Sequence, residues 1–233
     1  MGLPKIDVPT FKMTIDSLGK DYKFRPFLVK EEKILVMASE SSDKSDMLGA
    51  AQQVITNCSF GRVDGEKLPM FEVQKVFLTL RSQSVGNIIE LSAKCGHCEG
   101  STQVFLDIDE IEVVKDDTHT NRIELNTELV IEMKYPSVEE VASLARAEED
   151  TDIYSVTANS IDKLYTAEET INFQDSPPDE RIEWIENLSP DYFGKIKRFF
   201  ETMPQLYHTI NFNCNECKKD NYLVIDGYEN FFV

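Results

Sequence analysis

The sequence predicts an α+β fold: an N-terminal β-hairpin and helices, then a split four-cysteine ribbon whose two β-hairpin knuckles bracket a mainly helical insertion. Three observations predict it. Alternating polar and apolar residues surround a Gly-Lys turn near the start, two C-x-x-C pairs each sit at a bend between alternating strands, and the stretch between the pairs carries helical periodicity and caps. With 233 residues, 41% of them apolar and including 14 Phe and 8 Tyr, the chain can bury a substantial core.

"PTFKMTIDSLGKDYKFRPFLV" alternates on both sides of Gly19-Lys20, as two short strands joined by a turn do. "KEEKILVMASES" and "SDMLGAAQQVITNC" have helix-forming composition, and the second ends on Cys58, expected to be a buried thiol. Val73, Val76, Phe77 and Leu80 follow the i, i+3, i+4, i+7 spacing of a buried helical stripe. "NIIELSAKCGHCEGSTQVFLDID" reads strand, turn, strand, and "ELVIEMKYPS" reads as a further strand. Ser137 to Glu140, "SVEE", is a capping box that opens a helix through "VASLARAEED", and "TDIYSVTANSIDKLY" reads as a second helix. Pro177-Pro178 interrupts the chain before the only tryptophan, Trp184. In "SPDYFGKIKRFFETMP", Ser189 is placed to cap and Pro190 to open a helix with Tyr192, Phe193, Ile196, Phe199, Phe200 and Met203 on one broad face. The last stretch, "HTINFNCNECKKDNYLVIDGYENFF", repeats strand, C-x-x-C bend, strand. The expected organisation is thus a hairpin and helical region at 1–85, a ribbon region at 86–135 and 205–233, and a helical insertion at 136–204.

Cys95, Cys98, Cys214 and Cys217 together supply four thiolates, the full tetrahedral set of a structural zinc site. A tight turn lets two thiolates and nearby backbone N–H groups converge on one ion. The pairs stand 115 residues apart, whereas about 15 to 20 is usual. Loop closure scales as (3/2)RT ln n, so that stretch adds only about 1.7 kcal/mol. Apparent zinc affinities in small sites are about 10–16 kcal/mol, and the metal wins. The competing readings are unligated thiols and redox pairs. A redox pair wants a thiolate at a helix N-terminus, whereas strand-like sequence follows both pairs here. One structural Zn2+ is therefore expected, with His97 a solvent-facing turn residue.

The net charge of −18, from 42 acidic against 24 basic residues, repels phosphate backbones. Around the knuckles Lys94, Lys218 and Lys219 are outnumbered by Glu99, Glu216, Asp107, Asp109, Asp220 and Asp226, so no basic stripe with interleaved aromatics is visible. The competing function, a zinc-ribbon regulator that binds nucleic acid, lacks that footprint. Neither an apolar run of membrane-helix length nor a signal-peptide plan is read, which leads to the expectation of a cytoplasmic protein without membrane partners. Of three histidines, His97, His119 and His208, none lies in a nucleophile pattern, and Gly-rich phosphate loops are not seen. No catalytic residue is assigned and no enzyme is expected.

"LPKIDVPTF", "YKFRPFLVKEEKILVMA", "LPMFEVQKVFLTLRSQSVGNIIEL" and the closing "GYENFF", in this order, resemble the baseplate protein family of T-even-type contractile-tailed bacteriophages. The likeness runs over residues 3–114 and resumes at the terminal ribbon. It implies a non-enzymatic structural or chaperone-like role in assembling the hub of the tail baseplate, in the cytoplasm of the infected cell or in the virion tail, with other baseplate or tail proteins as partners. Candidate partner contacts are Tyr192, Phe193, Phe199 and Phe200, whose helical periodicity equally reads as the buried face of a core helix, and the terminal Tyr228, Phe231 and Phe232, since aromatic patches on assembly factors mark partner sites.

Overall fold

The structure, a computed structural model, describes residues 6–41, 44–138, 140 and 151–226. In chain order the described elements are β1 Phe11–Ile15, β2 Lys20–Phe24, α1 Val29–Ser39, α2 Lys44–Cys58, α3 Met70–Val85, β3 Ile88–Lys94, β4 Ser101–Asp107, β5 Glu112–Val114, β6 Arg122–Glu124 and β7 Leu129–Met133. There follow α4 Thr151–Ser160, β8 Ile161–Thr166, β9 Thr170–Asn172, α5 Pro178–Glu186, α6 Pro190–Glu201, β10 Gln205–Asn213 and β11 Asp220–Asp226. Helices and small antiparallel sheets are mixed, and the fold is α+β. The chain divides into two compact units, Met1–Val114 with Gln205–Val233, and Lys115–Pro204.

The first unit opens with the β1–β2 hairpin. Its turn is a short 3-10 segment, Asp16–Leu18, closed by Gly19 at φ 64°, a left-handed conformation that costs glycine least. Alternation puts Ile15 and Phe24 inward, both fully buried. Glu72, in the first turn of α3, accepts hydrogen bonds from the Ser17 N–H at 2.7 Å and from the Ser17 hydroxyl, which ties the hairpin to that helix. The expected stripe on α3, Val73, Val76, Phe77 and Leu80, is buried throughout, and α3 packs against α2, whose Val54, Ile55 and Cys58 are all at 0% exposure. The Cys58 thiol is pushed up to about 11 by its burial.

Beneath α1 lies an ion pair. Arg25 donates to both oxygens of Glu31, at 2.9 and 3.1 Å, and the Leu28 N–H donates to the same carboxylate at 3.0 Å, which satisfies an otherwise orphaned donor at the start of α1. The β3–β4 hairpin buries Ile89, Ala93, Val104 and Leu106 on one face. A three-stranded sheet in the order β11–β10–β5 completes the unit.

The second unit is a four-stranded antiparallel sheet, β6–β7–β8–β9, covered by helices. Its core joins Ile123, Ile131 and Ile161 of the sheet to Ile185 of α5 and Ile196 and Phe199 of α6. Here the structure departs from the expected helices. "TDIYSVTANSIDKLY" is helical only to Ser160, and from Ile161 the chain runs as β8, paired along β7 from Leu129↔Thr166 to Met133↔Ile161. As the Pro177-Pro178 interruption implied, a new helix begins there: Pro178 starts α5, because its missing N–H costs nothing at a first turn. Ser189 caps α6 as expected, accepting from the Tyr192 N–H at 3.3 Å. The Ser137–Glu140 box is present in both directions, at 2.7 and 3.3 Å, while the helix read through 141–150 lies outside the described residues.

Candidate metal centre

Each C-x-x-C pair sits where a β-hairpin reverses. In the β3–β4 bend the Cys95 N–H donates to the Gly100 carbonyl at 2.9 Å. In the β10–β11 bend the Cys214 N–H donates to the Lys219 carbonyl at 3.0 Å, and the Lys218 N–H returns to the Cys214 carbonyl. Lys218 closes the second bend at φ 60°, one of two described non-glycine residues with positive φ. These turns aim two sulfurs apiece at one point: the four Sγ atoms all lie within 4.8 Å of one another, with Cys95 to Cys217 at 3.6 Å and Cys98 to Cys214 at 3.7 Å. A disulfide would need about 2.05 Å. A tetrahedron of about 2.3 Å metal–sulfur bonds has edges of about 3.8 Å, which these separations match.

Backbone groups face the sulfurs. The His97 N–H donates to Cys95 Sγ at 3.3 Å, and that bond leads in drawing the thiol down to about 6. Cys214 is likewise lowered, by the N–H groups of Cys217 and then Glu216. At Cys98 the Gly100 N–H pulls the same way, but burial and the neighbouring sulfurs prevail and push the thiol up to about 12. Four thiols this close resist ionising together, and a divalent cation is what removes that resistance. Cys214 is buried and the other three are half-buried, while the His97 side chain is exposed, as its place in the turn implied.

The two knuckles are also bound to each other. The Gly96 N–H donates to Asn221 Oδ1 on β11 at 2.9 Å, and the Asn215 N–H donates to Thr102 Oγ1 on β4 at 3.0 Å. Each bend therefore leans on a strand of the opposite hairpin, an outer layer that orients the thiolates. Sequence reasoning missed Thr102 and Asn221. Their position, one strand-end away from a C-x-x-C, was the available signal.

A family model described as T4 bacteriophage base plate protein matches residues 8–233. The chain belongs to that family. No curated protein and no solved structure matches it. Membership in the T4 baseplate family places the protein's role in the phage tail baseplate, among other phage proteins. No helix among the described residues is long and apolar enough to cross a membrane.

The aromatic residues expected at partner contacts are divided by the structure of this baseplate protein. Phe199 is 3% exposed and belongs to the core of the second unit, while Tyr192, Phe193 and Phe200 are partly buried against that core. Tyr228, Phe231 and Phe232 lie outside the described residues. Next to Phe199 sits His119, tilted against it at 5.1 Å and stacked on Tyr135 at 5.7 Å, with its ring nitrogens 2.9 Å from Thr202 Oγ1 and 3.0 Å from Tyr135 Oη. Burial holds this imidazole below its ordinary value, a structural setting that joins residues 119 and 202 near the two ends of the unit.

Proposed function

We propose that this protein is a non-enzymatic assembly factor of the baseplate hub, which binds other baseplate and tail proteins while the particle is built in the host cytoplasm. The family match over residues 8–233 is the observation that carries this reading. Within it, one structural Zn2+ is held by Cys95, Cys98, Cys214 and Cys217, with all four positions taken by protein and none open to substrate. The ion fixes two bends that lie far apart in sequence into one platform, and a platform of fixed shape is what a partner subunit needs in order to dock without first ordering it. Partner contact is assigned to the half-buried aromatics of α6 and to the terminal Tyr228, Phe231 and Phe232.

Co-purification from infected cells tests the role. Other baseplate proteins are expected to come down with the chain, with no retention on labelled DNA or RNA at low salt. Tight, salt-sensitive retention of nucleic acid together with no tail protein would establish the regulator reading instead.

A further inference from the structure

We propose that the free edge of β11 is a docking strip on which another baseplate protein lays an extended strand, an inference that rests on the assembly role above. The bond from the Cys214 N–H to the Lys219 carbonyl sets the phase of the β10–β11 ladder. Along an antiparallel pair, residues alternate between turning both backbone groups toward the neighbouring strand and turning both away. Asn221, Leu223 and Ile225 therefore bond to β10, while the N–H and C=O of Asp220, Tyr222 and Val224 point outward. β11 is the last strand of its sheet, and among the described residues nothing hydrogen-bonds to those outward groups. Tyr222, in the middle of the strip, is 70% exposed.

Unpaired edges are normally blunted by short strands, lysine, proline or a bulge. The other edge strands of the three- and four-stranded sheets, β5, β6 and β9, are three residues long each. β11 runs for seven, keeps an unbroken register with β10, and contains no Lys, Pro or Gly. The groups left open define the occupant. Backbone donors and acceptors repeating at strand spacing are matched by another extended backbone and not by a helix, whose N–H and C=O groups are spent internally. Side chains set its pattern. On one face the half-buried Leu223 and the buried Ile225 are continued by apolar residues, and on the other an apolar residue covers Tyr222. A second copy is opposed by charge, since each chain carries −18.

Amide hydrogen exchange read residue by residue tests this, on the purified full chain and on the complex it forms with the other baseplate proteins, quenched and dissociated before reading. In the purified chain the amides of Asn221, Leu223 and Ile225 should be protected and those of Asp220, Tyr222 and Val224 open at every protein concentration. In the complex the second set should slow at least tenfold. Val224→Pro removes an outward N–H and spares every donor to β10, so it should lower recovery of the partner tenfold with bound zinc unchanged, whereas Val224→Ala, which keeps the N–H, should recover the partner as the unaltered chain does. Because proline can loosen the strand, the exchange pattern of the unaltered chain decides independently. Protection of the outward amides in the dilute purified chain, protection that grows with its concentration as a second copy would cause, or equal recovery with Val224→Pro overturns the inference. If baseplate proteins co-purify while the outward amides stay open, only the edge assignment falls. If nothing co-purifies, the assembly role falls with it.

Discussion

Replacing Glu31 with Gln removes one charge from an ion pair closed off in the first unit. Glu31 is at 0% exposure and Arg25 at 7%, so solvent cannot take over the role of the lost carboxylate. Stripping one member of a buried pair leaves the other charge uncompensated, at a cost of about 3–5 kcal/mol. Arg25 keeps weaker acceptors, the Pro26 carbonyl at 3.0 Å and Cys58 Sγ at 3.7 Å, which puts the expectation near the lower bound, about 3 kcal/mol. The measure is hydrogen exchange of peptides spanning residues 29–58, followed through a urea titration. A loss under about 1 kcal/mol, the range of an exposed pair, would refute the idea that this site is sealed. The double change Arg25→Met with Glu31→Leu should recover most of the loss, since an apolar pair of similar volume replaces a buried ion pair at little net cost.

The same carboxylate has a pH signature. Burial raises its pKa, but the hydrogen bonds from Arg25 and from the Leu28 N–H outweigh burial and hold it below the usual range. A group lowered on folding stabilises the protein above its unfolded pKa of about 4.3, and that contribution is lost as pH falls through the folded value. The Gln variant should lack this portion of the acid sensitivity.

Cys98→Ser should reduce bound zinc from one ion per chain to near zero and lower the melting temperature; unchanged zinc content and melting point would remove the shared site. His119 presents the opposite pH case, with its folded pKa lowered by burial. The second unit should therefore lose stability as pH falls below about 6.5 toward the folded value, read by the fluorescence of Trp184 in that unit, and His119→Gln should flatten that dependence. Lys218→Gly should raise stability by about 1 kcal/mol, because glycine carries no penalty in the left-handed region. A drop in the urea midpoint would show that the lysine side chain contributes more than its backbone costs.

Where a residue's role was decided by its immediate neighbours, the chain was legible. Gly19 marked the first turn, Ser189 and Pro190 the start of α6, the α3 stripe its buried face, and the two C-x-x-C bends the cluster of sulfurs, although 115 residues intervene. The failures came where distant partners decide. Ile161 and Leu164 are three apart and fit a helix as readily as a strand, and only pairing with β7 makes them β8. Likewise β6 and β9 are three residues each, too short for a periodicity to declare itself. The burial of Arg25, Glu31 and Glu72 went unread because charged residues are seldom fully buried. Glu31, three positions after Leu28 at the edge of α1, was the one with a local clue.

Val114 and Gln205 are direct partners in the β5–β10 ladder. The chain therefore departs for its second unit and comes back through a doorway about one strand spacing wide, roughly 4.8 Å. Whatever is spliced between those two residues need only present neighbouring ends to leave the host scaffold undisturbed. This junction is where lengthening, shortening or wholesale exchange of the intervening module should disturb the scaffold around the sulfurs least.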